Sequence, residues 1–256
     1  MKMGLESRVV IVTGAASGIG AAIARLLADE GVGGLVLVDR DGAGAQRLAA
    51  TLPGPVEVVQ VNLADTAASD IVAGATRDRF GRIDGLVNAA GLTTRASLVT
   101  GTPAVWDQLF AVNARAAFFL MQAAIADIRA RQAAGSIVNI LSMNAHCGIP
   151  ELAIYAATKG ALATLTRNAA NAHLADRIRV NGINLGWVAT EAERQMQAGS
   201  LGRGPGWLAE AEAAMPLGRL VTPEECARLA VFLLGEASVP MSGAIVDFEQ
   251  KVAGAL

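Results

Sequence analysis

The sequence predicts a doubly wound α/β fold: a parallel sheet of about seven strands, covered by helices on both faces, in a single domain. Seven short apolar runs recur along 256 residues without the polar alternation of a half-exposed sheet. Each therefore reads as a strand buried on both faces. Longer stretches with helical periodicity separate the runs, which is the connection parallel strands need. No repeat, linker or compositional break divides the chain.

The elements follow in order. Residues 9–12 (Val-Val-Ile-Val) form the first strand, and 19–30 a helix stopped by Gly31. The second strand is 35–38 and the second helix 41–52. The third strand, 56–61, leads to a helix over 66–80, and the fourth strand is 83–87. Two helical stretches, 104–112 and 115–132, precede the fifth strand at 136–141. A long helix over 155–174 leads to the sixth strand, 178–183, and a helix over 224–234 leads to the last strand, 244–248. One segment breaks the alternation. Residues 187–217 contain Gly199-Ser200-Leu201-Gly202-Arg203-Gly204-Pro205-Gly206, and so long an irregular stretch in a compact domain predicts a lid over a binding site.

Composition narrows the function. Hydrophobic residues make up 53% of the chain and mean hydropathy is +0.42, so a large core is expected. A net charge of −2 and 4% aromatic residues supply neither the electrostatic field nor the stacking platforms of a nucleic-acid binder. The most apolar helical stretch, 116–126, contains Gln122 and reads as too short to span a bilayer, so no membrane partner is expected. The N-terminal Met1-Lys2-Met3-Gly4-Leu5-Glu6 runs straight into a strand and does not read as a signal peptide. Cys147 and Cys226 form neither a disulfide framework nor a metal-spaced cluster. They read as reduced thiols in a cytoplasmic protein, and no metal is expected.

The first strand ends in Thr13-Gly14-Ala15-Ala16-Ser17-Gly18-Ile19-Gly20. Glycines between a strand and a helix let backbone amides approach a pyrophosphate while the helix directs its positive end at it. Asp39 ends the second strand. A carboxylate there can accept hydrogen bonds from both ribose hydroxyls of NAD and would repel the 2′-phosphate of NADP, so NAD is favoured.

The rarest residues sit together. Tyr155 is the chain's only tyrosine, and Lys159 is its only lysine apart from Lys2 and Lys251. Four residues apart on a helix, their side chains share a face. An ammonium beside a phenol is expected to stabilise the phenolate and lower its pKa, making a general acid or base.

With the glycine turn, Tyr155 and Lys159, the chain resembles the short-chain dehydrogenase/reductases over nearly its whole length, and that family's Rossmann-like fold is implied. Asn88-Ala89-Ala90-Gly91 is similar to the family's Asn-Asn-Ala-Gly. Asn113 stands where the family has an asparagine in its fourth helix, and Ser142 stands thirteen residues before Tyr155. The resemblance implies a catalytic set of Asn113, Ser142, Tyr155 and Lys159. It implies cofactor contacts at Gly14, Ser17, Gly18, Ile19, Gly20, Asp39, Asn62, Leu63, Asn88, Ala90, Gly91, Tyr155, Lys159, Gly186, Val188 and Thr190. Three positions depart from the family: Asn62 replaces an aspartate, Leu185-Gly186 replaces Pro-Gly, and Val246-Asp247-Phe248-Glu249-Gln250 replaces Val-Asp-Gly-Gly.

By this resemblance the reaction is reversible hydride transfer between a nicotinamide and a secondary alcohol or ketone. Tyr155 would move the proton, Lys159 would tune it and hold the ribose, Ser142 would polarise the substrate oxygen, and Asn113 would hold a water. Pocket candidates are Thr93, Thr94, Arg95, Asn144, His146, Cys147, Trp187, Glu191 and Glu193, a polar set suited to a sugar, polyol or small hydroxy compound. His146 and His173 read as packing or solvent-facing rather than catalytic. Two alternatives stand beside this: reduction of a 3-oxoacyl thioester, and a regulatory protein that binds NAD(P) without chemistry. Alanine-rich faces on 115–132 and 155–174, with the family's habit, imply a homotetramer.

Overall fold

The structure, a computed structural model, describes residues 3–253. Met1 and Lys2, part of the N-terminal reading above, lie outside the described residues. Seven strands form one sheet in the order β3-β2-β1-β4-β5-β6-β7, and every pairing is parallel. The strands are β1 (Val9–Thr13), β2 (Gly34–Asp39), β3 (Val56–Gln60), β4 (Gly85–Asn88), β5 (Gly135–Ile140), β6 (Ile178–Leu185) and β7 (Ile245–Phe248). The crossover from β3 back to β4, beside β1, is the switch point at which doubly wound sheets open a crevice at the carboxyl ends of their strands.

The period-2 geometry of a strand sorts its apolar side chains between two cores. Val10, Val12, Leu35 and Leu37 face one way, onto α1 (Gly18–Asp29), α2 (Gly42–Ala49) and α9 (Pro223–Leu234). Ile11, Val36 and Val38 face the other, onto α3 (Ala68–Phe80), α5 (Ala116–Ala130) and α6 (Ala153–His173). Both faces are buried, which is why the strands show no alternation in sequence.

The two helical stretches expected at 104–112 and 115–132 are continuous. Helix α4 (Pro103–Phe110) passes through a π turn, Ala111–Arg115, directly into α5. The joined helix, Pro103–Ala130, is long and apolar enough by length and composition to cross a membrane, unlike the shorter stretch read from sequence. Half of its most apolar window is buried in the protein, where Leu120, Met121, Ala124 and Ile128 pack into the second core.

Segment 187–217 is ordered into α7 (Glu191–Gln195), a second π turn (Met196–Ser200) and α8 (Trp207–Ala213). It has its own small core, in which Trp207, Ala211 and Leu220 are buried against Trp187, Leu208 and Met215. The Trp187 and Trp207 rings lie 6.0 Å apart.

Candidate active site

A cleft of about 760 Å³ opens at the carboxyl ends of the strands. Ile19 of the glycine turn lines it. Gly14 and Gly18 have φ of +67° and +54°, and a Cβ on Gly20 would fall 2.2 Å from the Gly14 carbonyl oxygen. The turn therefore closes only with glycine at these places. Helix α1 follows with Ser17 at its N-cap, no side-chain cap and no acidic residue in the first turn. Its first amides remain available to an anion.

Asp39, at the end of β2, braces this turn. One carboxylate oxygen accepts from the Ala16 amide at 2.9 Å, and the other accepts from the Asp41 amide at 2.9 Å. Arg40 beside it is exposed. Asn62 is exposed and accepts from the Ala64 amide at 3.1 Å, while Leu63 behind it is buried. A residue that sequence reasoning missed, Thr13, joins β1 to the β4 loop: its hydroxyl accepts from the amides of Ala89 and Ala90, both at 3.1 Å.

Asn88 departs from expectation. Its side chain points away from the cleft and donates to Asn139 at 2.8 Å, which in turn donates to Thr166 at 2.9 Å. It is part of a buried polar chain beneath the site, and any cofactor contact there falls to its main chain and to Ala90 and Gly91.

Tyr155, in the first turn of α6, is buried and lines the cleft together with Ser142, Lys159 and Gly91. The Ser142 hydroxyl accepts from the Asn144 amide at 3.2 Å and its side-chain amide at 3.1 Å. Its single proton is left for a partner in the cleft. Lys159 is buried and donates to the Ile140 carbonyl at 2.8 Å. Its Nζ lies 5.8 Å from the centre of the Tyr155 ring. Burial lowers the Lys159 pKa to about 8, which leaves it largely an ammonium at neutral pH.

The expectation that Tyr155 is acidified is corrected here. Burial pushes the phenol above its ordinary value, hydrogen bonding with Ser142 pulls the other way, and the Glu193 charge adds to the rise. Desolvation of the phenolate outweighs the help.

Asn113 sits on the π turn, fully enclosed. Its amide donates to the Leu92 carbonyl at 2.9 Å and to Thr158 at 3.1 Å, and its oxygen accepts from the Leu92 amide at 2.8 Å. Thr158 donates to the Tyr155 carbonyl at 2.7 Å. Asn113 thereby pins the β4 loop to the helix of Tyr155. The extra residue of a π turn re-aims side chains, and such turns are frequent at functional sites.

On the side of segment 187–217, Thr190 caps α7, and its methyl group would stand 3.4 Å from a Cβ on Gly18. Val188 bridges to Val221. At Gly186 a Cβ would lie 1.9 Å from a Glu249 carboxylate oxygen. Glu193 accepts from the Trp187 indole at 2.8 Å and from Gln197 at 2.7 Å.

Of the expected pocket residues, Thr93, Arg95, Asn144, Trp187 and Glu193 line the cleft, whereas Thr94, His146, Cys147 and Glu191 do not. Ile149, Leu152, Met196 and Leu201 do, so the pocket is mixed rather than polar. His146 instead bonds Asp247 of β7 at 2.9 Å. Burial pushes the Asp247 carboxyl up, but hydrogen bonds from His146 and Asn184 outweigh it and hold it below its ordinary value. His173 bonds Asp176 at 2.9 Å. Among the described residues no three His, Cys, Asp or Glu side chains converge on a metal-sized site.

Residues 14–249 match a family of dehydrogenases and reductases, adh_short_C2, described as enoyl-(acyl carrier protein) reductase. The chain is 37% identical over 243 residues to 2-(S)-hydroxypropyl-CoM dehydrogenase 3 of Xanthobacter autotrophicus, covering 94% of each chain. The chain belongs to the short-chain dehydrogenase/reductase family. A second relative within it, galactitol 2-dehydrogenase of Agrobacterium fabrum, is 34% identical over 90% of this chain and 91% of its own. The L-sorbose reductase of Gluconobacter frateurii, solved with NADPH and L-sorbose, superposes with a TM-score of 0.92 over the whole of both chains at 30% identity. As a short-chain dehydrogenase/reductase, the protein is an oxidoreductase that moves a hydride between a nicotinamide cofactor and a secondary alcohol or ketone, a small-molecule substrate. The glycine turn, with no room for a Cβ at Gly14 or Gly20 and free helix amides above it, fits the cofactor's pyrophosphate.

Proposed function

We propose that the protein is an NAD-preferring dehydrogenase of sugars, polyols or related hydroxy compounds, with Tyr155 as its acid and base. The observation that carries this reading is the meeting of Tyr155, Ser142 and Lys159 in one cleft with Ile19 of the glycine turn. The galactitol and sorbose enzymes among its relatives support the substrate class.

Gly14, Ser17, Gly18, Ile19 and Gly20 hold the pyrophosphate, and Asp39 takes the adenosine ribose, with Asn62 and Leu63 at the adenine. Ala90, Gly91, Gly186, Val188 and Thr190 flank the nicotinamide end, with the main chain of Asn88. When bound, the nicotinamide supplies or accepts the hydride. Ser142 donates its free proton to the substrate oxygen. In oxidation the Tyr155 oxygen takes the carbinol proton, and in reduction the phenol returns a proton to the alkoxide. Lys159 keeps a positive charge within the cleft, which favours the phenolate once a ligand orders the site. Asn113 holds Leu92 and Thr158, and through them Tyr155, in register.

Asp39 supports NAD because its carboxylate is fixed in place and negative where NADP carries a phosphate. Residues 187–217 act as the lid. Two free thiols support a cytoplasmic location. A homotetramer formed through α5 and α6 would cover Phe118 and Phe119, which are 40% and 42% exposed. Light scattering on the purified protein measures that assembly.

The deciding experiment is turnover of a panel of sugars, polyols and simple secondary alcohols, with NAD and NADP in parallel. Reduction of NAD by a sugar or polyol is the expected result. NADP preference overturns the cofactor assignment. Nucleotide binding without turnover of any alcohol favours the regulatory alternative.

A further inference from the structure

One cation in the cleft has no job in the chemistry above. Arg95 lies on the loop after β4 and lines the same cleft as Tyr155. It is half-buried, its Nε is enclosed without a hydrogen-bond partner, and none of the side-chain hydrogen bonds or ion pairs among the described residues involves it. The loop that carries it is held firmly: the Ala96 amide donates to the Glu151 carbonyl at 2.7 Å. The loop of Arg95 is thus held next to the start of α6, which carries the phenol.

The other charges of the cleft are engaged. Glu193 accepts from Trp187 and Gln197. Glu249 accepts from the amides of Trp187 and Gln250. Lys159 donates to Ile140. Arg203 reaches Gln197 and Glu210, at 3.4 and 3.3 Å. Leaving a guanidinium partly desolvated without an acceptor is costly, and its planar fork matches a carboxylate or sulfonate. Ile149 and Leu152 also line the cleft, an apolar surface that suits a short carbon chain.

We propose that Arg95 receives an anionic group of the substrate, so that the preferred substrate is a secondary alcohol or ketone carrying a carboxylate or sulfonate a few carbons from the reacting centre. Arg95 is a specificity residue for the cleft read above as the substrate site, and the proposal rests on the dehydrogenase reading while narrowing its hydroxy compounds to anionic ones in place of neutral sugars and polyols.

The test compares 4-hydroxypentanoate with its methyl ester, and the matching hydroxysulfonate with the neutral parent alcohol. Steady-state kinetics are run on the wild type, Arg95→Gln and Arg95→Lys. The expected result is a kcat/KM about tenfold or more higher for each anion in the wild type. That ratio collapses toward one in Arg95→Gln and is partly kept in Arg95→Lys. Carboxylate and sulfonate arms show which anion fits. Calorimetric titration of the same compounds into NADH-loaded Tyr155→Phe reads the preference without turnover. If alcohols are turned over but the ester equals the acid, or Arg95→Gln keeps the preference, this inference fails and the dehydrogenase reading stands. If no alcohol is turned over, the dehydrogenase reading fails, and equal binding of acid and ester in the calorimeter then overturns this one as well.

Discussion

Lys159 gives its hydrogen bond to the Ile140 carbonyl at 2.8 Å, while its Nζ stands 5.8 Å from the centre of the Tyr155 ring. The two residues share a helix face, as a spacing of four requires. Their coupling is through space, not through a hydrogen bond, and the phenol is left above its ordinary pKa. Because Tyr155 is the only tyrosine, a near-ultraviolet titration reads it alone. Ligand-free protein is expected to show no tyrosinate until above pH 10. With NAD bound, the midpoint falls. A midpoint well below 10 without ligand would contradict the burial found here.

Tyr155→Phe keeps the ring that fills the site and removes only the hydroxyl. It is expected to fold and bind NAD with little change, and to lose kcat by about 10²–10⁴-fold. Nucleotide affinity by fluorescence and kcat by steady-state kinetics check this, and normal turnover would remove Tyr155 from the mechanism.

Lys159 carries a stability cost that can be measured. Its folded pKa of about 8 lies below the ordinary 10.5, so burial disfavours the charged form by about 3 kcal/mol. The cost is fully present below pH 8, where both states are protonated. It is relieved as pH rises from about 8 to 10.5, because the folded protein gives up its proton first. Tyr155 acts above about pH 10, and Cys226, whose buried thiol is pushed up to about 12, acts above about pH 9, both with opposite sign, so the window from about 8 to 9 reports Lys159. Lys159→Met also orphans the Ile140 carbonyl, at about 1 kcal/mol. The variant is expected to be inactive yet at least as stable as the wild type at neutral pH, with its advantage shrinking above pH 8. Urea denaturation across that range measures it.

The strands and the glycine turn were legible because their signals are local: an apolar run, a strand-turn-helix context, two rare residues four apart. What was not legible depends on partners distant in sequence. Asn113 looks like any helical asparagine until Leu92 and Thr158, 21 and 45 positions away, are placed against it. Asn88 carried a motif signal, but its side chain was claimed by Asn139, 51 positions on. The phenol's pKa could not be read from spacing, since it is set by burial. The polar pocket was overstated because Ile149, Leu152, Met196 and Leu201 come from loops whose convergence no periodicity announces.

Asp39→Asn tests the cofactor assignment. An asparagine keeps one acceptor oxygen, so one of the bonds to Ala16 and Asp41 is lost, along with the charge that repels a 2′-phosphate. The KM for NAD is expected to rise about tenfold, with a smaller loss for NADP, so the preference narrows while kcat holds. Parallel kinetics with both nucleotides decide it; an unchanged ratio would mean that Asp39 serves only the turn.

The unusual C-terminal residues clamp both ends of segment 187–217. Glu249 accepts from the Trp187 amide at 3.2 Å where the segment begins. Gln250 accepts from the Leu217 amide at 2.9 Å and donates to the Arg219 carbonyl at 2.6 Å where it ends. Glu249 also fills the space at Gly186 that a side chain would need, so the departure at 249 packs against the glycine retained at 186. Gln250→Ala removes the far clamp without touching the sheet. Global stability is expected to fall by less than about 1 kcal/mol, since the bonds lost are exposed. Cleavage within 196–217 by a nonspecific protease is expected to quicken severalfold, and substrate KM to rise more than kcat falls. Unchanged cleavage would show that the small core around Trp207, not the clamp, orders this segment.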